Sequence, residues 1–137
     1  MIREAGEMKL SFRVAGPVPR VYVREGEYVK QGQVIAEMDP RDYELQKAAV
    51  EAQVEQLRSE YGRIEELWKR SSVAENDYEK MKAGVEMAES KLRNASDQLQ
   101  DTRLLAPFSG YIARVHIREG DVVNYGTPLQ VSSISAA

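Results

Sequence analysis

The stretch Gly16-Pro-Val-Pro-Arg-Val-Tyr-Val-Arg-Glu-Gly26 decides the fold, because it is written again as Gly110-Tyr-Ile-Ala-Arg-Val-His-Ile-Arg-Glu-Gly120. The offset is 94 residues with no gap, and it carries on through Val29 and Val123, Gly32 and Gly126, and Ile35 and Leu129. Each copy alternates with a period of two, which is the signature of a strand with one buried face. Val21 and Val23 point one way and Tyr22 the other; Val115, Ile117 and His116 repeat the plan. Arg24-Glu-Gly-Glu27 and Arg118-Glu-Gly-Asp121 read as turns, with Gly26 free to take positive φ. A second turn follows in each copy, at Lys30-Gln-Gly-Gln33 and Asn124-Tyr-Gly-Thr127. Strands over Val34–Met38 and Leu129–Ile134 then close the two halves. The β part has only about sixty residues, so its core is small. The two halves, 8–38 and 105–134, are therefore expected to interlock as one small β-sandwich or flattened barrel.

Outward from the repeat, the intervening 39–104 is helical in pattern. Asp39-Pro40-Arg41-Asp42 reads as a helix start, with Asp39 as cap, Pro40 at the first helical position and Asp42 in the positively polarised first turn. An apolar stripe runs Tyr43, Val50, Leu57, Ile64, with Val54, Tyr61 and Trp68 between, interrupted by Lys47. The pattern fails near Lys69–Ser72. Ser72-Val-Ala-Glu75 has the form of a capping box, and Ser71 and Ser72 read first as caps. A second stripe follows: Tyr78, Val85, Leu92, Leu99 at one position and Met81, Ala88, Ala95, Thr102 at the other. Spacing that alternates three and four is the seam of a coiled coil. The expected fold is thus α+β, with an inserted antiparallel coiled-coil α-hairpin about 45 Å long at 1.5 Å per residue. Its tip falls at about residues 66–75, and Pro107 stops the second helix.

The bulk numbers exclude several functions. The chain has 137 residues, a net charge of −3 and mixed acids and bases, so no basic face invites nucleic acid. It has no cysteine, hence no disulfide and no thiolate metal site. No apolar run approaches the roughly 18 residues of a membrane span, and residues 1–10 lack the apolar core of a secretion signal. No nucleophile–base–acid set or phosphate loop stands out, so no enzyme activity is expected.

The two Gly…Val…Glu-Gly half-motifs resemble the biotinyl/lipoyl domain. Together with Ala106-Pro-Phe-Ser-Gly-Tyr-Ile112 and the hairpin between the halves, they resemble the periplasmic membrane fusion proteins, the adaptors of tripartite efflux pumps, of the resistance-nodulation-division (RND) type in particular. The resemblance covers residues 10–134. It implies an adaptor that links an inner-membrane transporter to an outer-membrane channel, docking on the channel through the hairpin tip. It further implies a periplasmic location and self-association into a ring. The family's tip motif is Arg, then Leu four residues on, then Ser seven further. Here Arg63 and Leu67 match and Ala74 stands at the Ser position, so the channel-docking tip is read as Arg63, Leu67, Ser71, Ser72 and Ala74. The family's β-barrel domain, membrane-proximal domain, export signal and lipid anchor are not in this sequence. The chain therefore reads as a fragment of a longer parent, whose other parts would meet the transporter and the membrane.

The remaining residues have plainer readings. Arg63 would otherwise be a solvated helix residue paired with Glu60 or Glu66. Leu67 would close the end of the hairpin, and Trp68 would be hairpin core near the tip with an indole N–H in need of a partner, a tip contact being its alternative. His116 is a strand-surface residue. Lipoyl domains that carry a cofactor modify a lysine in the turn between the halves, a turn the hairpin replaces here. Lys30 lies in an earlier turn, so no lipoyl or biotin group is expected and a carrier function is disfavoured. Adaptors of ABC-type exporters and of type I secretion systems use the same parts and are the alternative.

Overall fold

The computed structural model describes residues 7–71, 73–124 and 130–136. They form two compact units: one from both ends of the chain, Met1–Pro40 with Gln100–Ala137, and one from its middle, Arg41–Leu99.

The first unit is built of short strands: β1 (Glu7–Ser11), β2 (Gly16–Pro17), β3 (Arg20–Val21), β4 (Tyr28–Val29), β5 (Val34–Glu37), β6 (Arg103–Leu105), β7 (Gly110–Val115), β8 (Val122–Val123) and β9 (Gln130–Ala136). They make three sheets, ordered β1-β9-β7-β4, β2-β8 and β3-β5-β6, and all pairings are antiparallel. Each sheet joins strands from the two ends of the chain, as the interlocked repeat requires.

The repeat is visible in the bonds themselves. Gly16 pairs with Val123 and Pro17 with Val122, while Gly110 pairs with Val29 and Tyr111 with Tyr28. These are the same contacts with the copies exchanged. Val18 N–H donates to the Asp121 carbonyl at 2.9 Å, and Ile112 N–H to that of Glu27 at 2.9 Å. Side chains obey the exchange as well. The Glu119 carboxylate accepts from Val21 N–H at 3.1 Å, and the Glu25 carboxylate from Val115 N–H at 3.2 Å. Inside the turns, Glu27 accepts from Arg24 N–H and Asp121 from Arg118 N–H. The unit is therefore a pseudo-twofold body in which each half's turn acid holds the other half's strand.

Its core is the inward face of that alternation: Leu10, Val23, Val29, Ile35, Ala106, Ile112 and Ile134, with Leu104, Phe108 and Val115 against them. Tyr22 and His116 lie on the exposed side, as the period of two requires. Gly26, at φ 86°, takes the left-handed turn conformation that its lack of Cβ permits. Gly110 is needed for a different reason: a Cβ there would run into the Ser135 carbonyl on the neighbouring strand β9. The second-copy positions Gly126 and Leu129 lie outside the described residues.

The middle unit is two helices, α1 (Arg41–Lys69) and α2 (Glu75–Gln100). Burial follows the two stripes. Val54 is buried on α1, and Val85, Ala88 and Ala95 on α2, while Tyr43, Val50, Leu57, Tyr61, Ile64, Tyr78, Met81, Leu92 and Leu99 are half-buried. Arg58 and Glu89 pair across the helices at 2.5 Å, which sets an antiparallel register and puts Ala88 in the layer of Leu57. Its small side chain leaves room for the larger one opposite. Lys47, the interruption, is half-buried: its methylene stem can cover the seam while the ammonium reaches water.

Two boundaries differ from the sequence reading. Helix α1 begins at Arg41, so Pro40 stands one place before the first helical residue. Helix α2 ends at Gln100, short of the expected 104, because Arg103–Leu105 pairs with β5 instead. Thr102 is buried, as its place in the stripe suggested, but in the β unit, where its carbonyl accepts from Met38 N–H at 2.7 Å.

Candidate functional site

The site predicted from the sequence is the bend between α1 and α2. The end of α1 is a tight turn in which Arg70 N–H donates to the Leu67 carbonyl at 3.2 Å and Ser71 N–H to that of Trp68 at 2.9 Å. Ser71 has φ 58°, the left-handed conformation that ends a helix and that glycine normally supplies. Ser71 thus acts through its backbone at the end of α1, not as a cap for α2.

The capping box expected at Ser72–Glu75 does not have the required register. Helix α2 starts at Glu75, and the Ala74 carbonyl accepts from Asp77 and Tyr78 N–H at 3.1 and 3.2 Å, so Ala74 occupies the cap position. Ala74 brings no side-chain acceptor. Glu75 and Asp77 in the first turn supply negative charge to the helix N-terminus instead. Ser72 itself lies outside the described residues.

Arg63 and Leu67, four residues apart, share one face of α1, and both are exposed. Leu67 keeps 41% of its surface, so it does not close the end of the hairpin core. Arg63 pairs with neither Glu60 nor Glu66; its Nη1 donates to Ser59 Oγ at 3.3 Å. A long bond from one nitrogen leaves most of the guanidinium's five donors to solvent or a partner.

Beside them is a feature the sequence reading underrated. Trp68, read as core, retains 39% exposure. Its ring lies almost parallel to that of Tyr78, at 4.6 Å between centroids and 11° between planes. Tyr78 also meets Tyr61 at 5.7 Å and 28°, and the two hydroxyls share a 3.1 Å hydrogen bond. That bond, desolvation and the nearby Glu65 carboxylate all raise the Tyr61 hydroxyl above the ordinary tyrosine range. The signal for the stack was in the sequence: all three rings occupy seam positions, and an antiparallel hairpin brings the last seam residues of α1 against the first of α2.

Elsewhere, Lys30 sits exposed in its turn, where its N–H donates to the Gln33 side chain at 3.1 Å. His116 is exposed, and its backbone N–H donates to the Val131 carbonyl at 2.8 Å. No helix among the described residues is long and apolar enough to cross a membrane.

A β body of two exchanged halves, interrupted between them by a coiled-coil pair, is the barrel-sandwich hybrid class, a lipoyl-like fold with an α-helical insertion. The model of the RND membrane fusion protein family's barrel-sandwich hybrid domain matches residues 7–135, and the chain belongs to that family. It is 31% identical to the multidrug resistance protein MdtA of Xenorhabdus bovienii, over 95% of this chain and 35% of that protein. It is 33% identical to the antibiotic efflux pump periplasmic linker protein ArpA of Pseudomonas putida, over 83% of this chain and 31% of that one. The chain thus spans about a third of the length of these curated relatives. Among solved structures, a candidate efflux transporter from Bacteroides eggerthii superimposes with a TM-score of 0.89 at 35% identity, covering 95% of this chain and 39% of that one. A MacA–MexA chimera carrying the Pseudomonas aeruginosa MexA α-hairpin shares the fold at a TM-score of 0.87 and 23% identity, over 95% of this chain and 47% of its own.

Proposed function

We propose that this chain is the lipoyl-like and hairpin portion of a periplasmic adaptor in an RND-type tripartite efflux pump, and that its hairpin tip docks on an outer-membrane channel. The observation that carries the reading is the tip: Arg63 and Leu67 are both presented to solvent on one face at the end of α1. An exposed leucine gains by burial in a partner, and a guanidinium with unused donors suits carboxylates or free helix-end carbonyls. The names of the curated relatives, a multidrug resistance protein and an efflux pump periplasmic linker protein, favour the same role. In this reading several copies stand side by side as a ring, parts of the parent protein beyond this chain meet the inner-membrane transporter and the membrane, and the adaptor performs no chemistry of its own.

The test is disulfide or bifunctional crosslinking in cells. The parent protein carrying Arg63→Cys or Leu67→Cys is expected to crosslink to an outer-membrane channel, whereas Tyr22→Cys in the β unit is not. Crosslinks to the channel from the β unit and none from the tip would reject the docking role.

A further inference from the structure

Trp68 is the chain's one tryptophan, and it is held ready rather than hidden. One ring face is covered by Tyr78, which is itself fixed by the Tyr61 ring and hydroxyl on the opposite helix. The indole is therefore oriented by both helices before any partner arrives, which lowers the entropy lost on binding. Yet 39% of the residue remains exposed, next in sequence to Leu67 at 41%. Its indole N–H donates to no described residue. Ala74, across the bend, offers no side-chain donor of its own.

We infer that Trp68 is the main apolar anchor of the tip's contact with its protein partner, and that Tyr78 is the positioning residue that presents it. This rests on the docking reading above. The partner is an outer-membrane channel whose contact surface combines an apolar recess with hydrogen-bond acceptors. The tip supplies the spare donors of Arg63 and an indole N–H that meets no acceptor among the described residues, so the complementary surface is one that accepts. Unpaired carbonyls at helix ends are such acceptors. Preordered tryptophan beside exposed aliphatic surface is the composition in which binding energy concentrates.

The experiment uses the full-length protein and the channel captured by the Arg63→Cys crosslink, both purified. Trp68→Ala is expected to weaken binding by about tenfold or more, the loss usual for an anchor of this kind. Trp68→Phe, which keeps a ring but loses the donor, falls between. Tyr78→Phe keeps the stack and should bind within about twofold of the parent, whereas Tyr78→Leu should lose affinity while helix content by circular dichroism is unchanged. With the adaptor alone labelled with 5-fluorotryptophan, the fluorine resonance that Trp68→Phe lacks is assigned to Trp68 and should shift on binding. If tip crosslinks form but Trp68→Ala binds within about twofold of the parent, or the Trp68 resonance does not shift on binding, the anchor role is wrong and the docking reading stands. If no tip crosslinks form, the docking reading fails and this inference with it.

Discussion

Val54→Ala tests whether the middle of the chain is held by its seam. Val54 is 1% exposed, the most deeply buried residue of α1. The substitution removes two methyl groups' worth of buried apolar surface, about 1.6 kcal/mol at about 0.8 kcal/mol each. An unrelaxed cavity of roughly 40 Å³ adds about 1 kcal/mol at about 24 cal/mol per Å³. Against this, alanine is the better helix former by about 0.6 kcal/mol. The net loss is about 2 kcal/mol, large for a pair of helices with one seam. Leu45→Ala is the control: Leu45 is 71% exposed and should shift stability by less than about 0.5 kcal/mol. Urea unfolding followed by Trp68 fluorescence reports this unit alone, since the β unit contains no tryptophan. Equal midpoints for Val54→Ala and Leu45→Ala would show that the seam is not where α1 is held, and the heptad argument would fall with it.

Four further outcomes are expected. Gly110→Ala should destabilise the β unit by about 3 kcal/mol or more, because the new methyl meets the Ser135 backbone and β7 cannot move without breaking its pairing with β9; proteolysis rates would show it. Glu25→Ala and Glu119→Ala should each cost about 0.5–1 kcal/mol and match one another, since each removes the same exchanged bond to a strand amide; unequal midpoints in denaturant would contradict the pseudo-twofold account. Ser71→Gly should stabilise the helical unit by up to about 1 kcal/mol by relieving its left-handed backbone, raising the melting temperature of the helical signal. For Tyr61 the folded state favours the neutral hydroxyl, so its contribution is fully present below pH 10.0 and is lost as pH rises above that; melting scans between pH 8 and 12 should fall more steeply for the parent than for Tyr61→Phe.

The fold was legible because its signals are local and periodic. An ungapped repeat, glycines at turns and two stripes spaced three and four apart each follow from backbone geometry, and they were enough to predict an α+β body with an inserted hairpin. The bend was less legible. Ser72-Val-Ala-Glu75 satisfies the capping pattern, yet Ala74 takes the cap position and Ser71 the left-handed one. Nothing in four residues of sequence says which backbone group will accept a hydrogen bond when the chain reverses.

What the sequence determined by itself is which faces are apolar, where the chain must turn and that the two ends are copies of one another. Tertiary structure alone decided that Arg103–Leu105 is strand rather than the last turn of a helix, because β5 offered a ladder of hydrogen bonds that the helical stripe could not match. It also decided that Trp68 is half-exposed on Tyr78 rather than enclosed. A two-helix seam covers a ring from the facing helix alone, and a heptad position names a side of the helix, not the depth of burial found there.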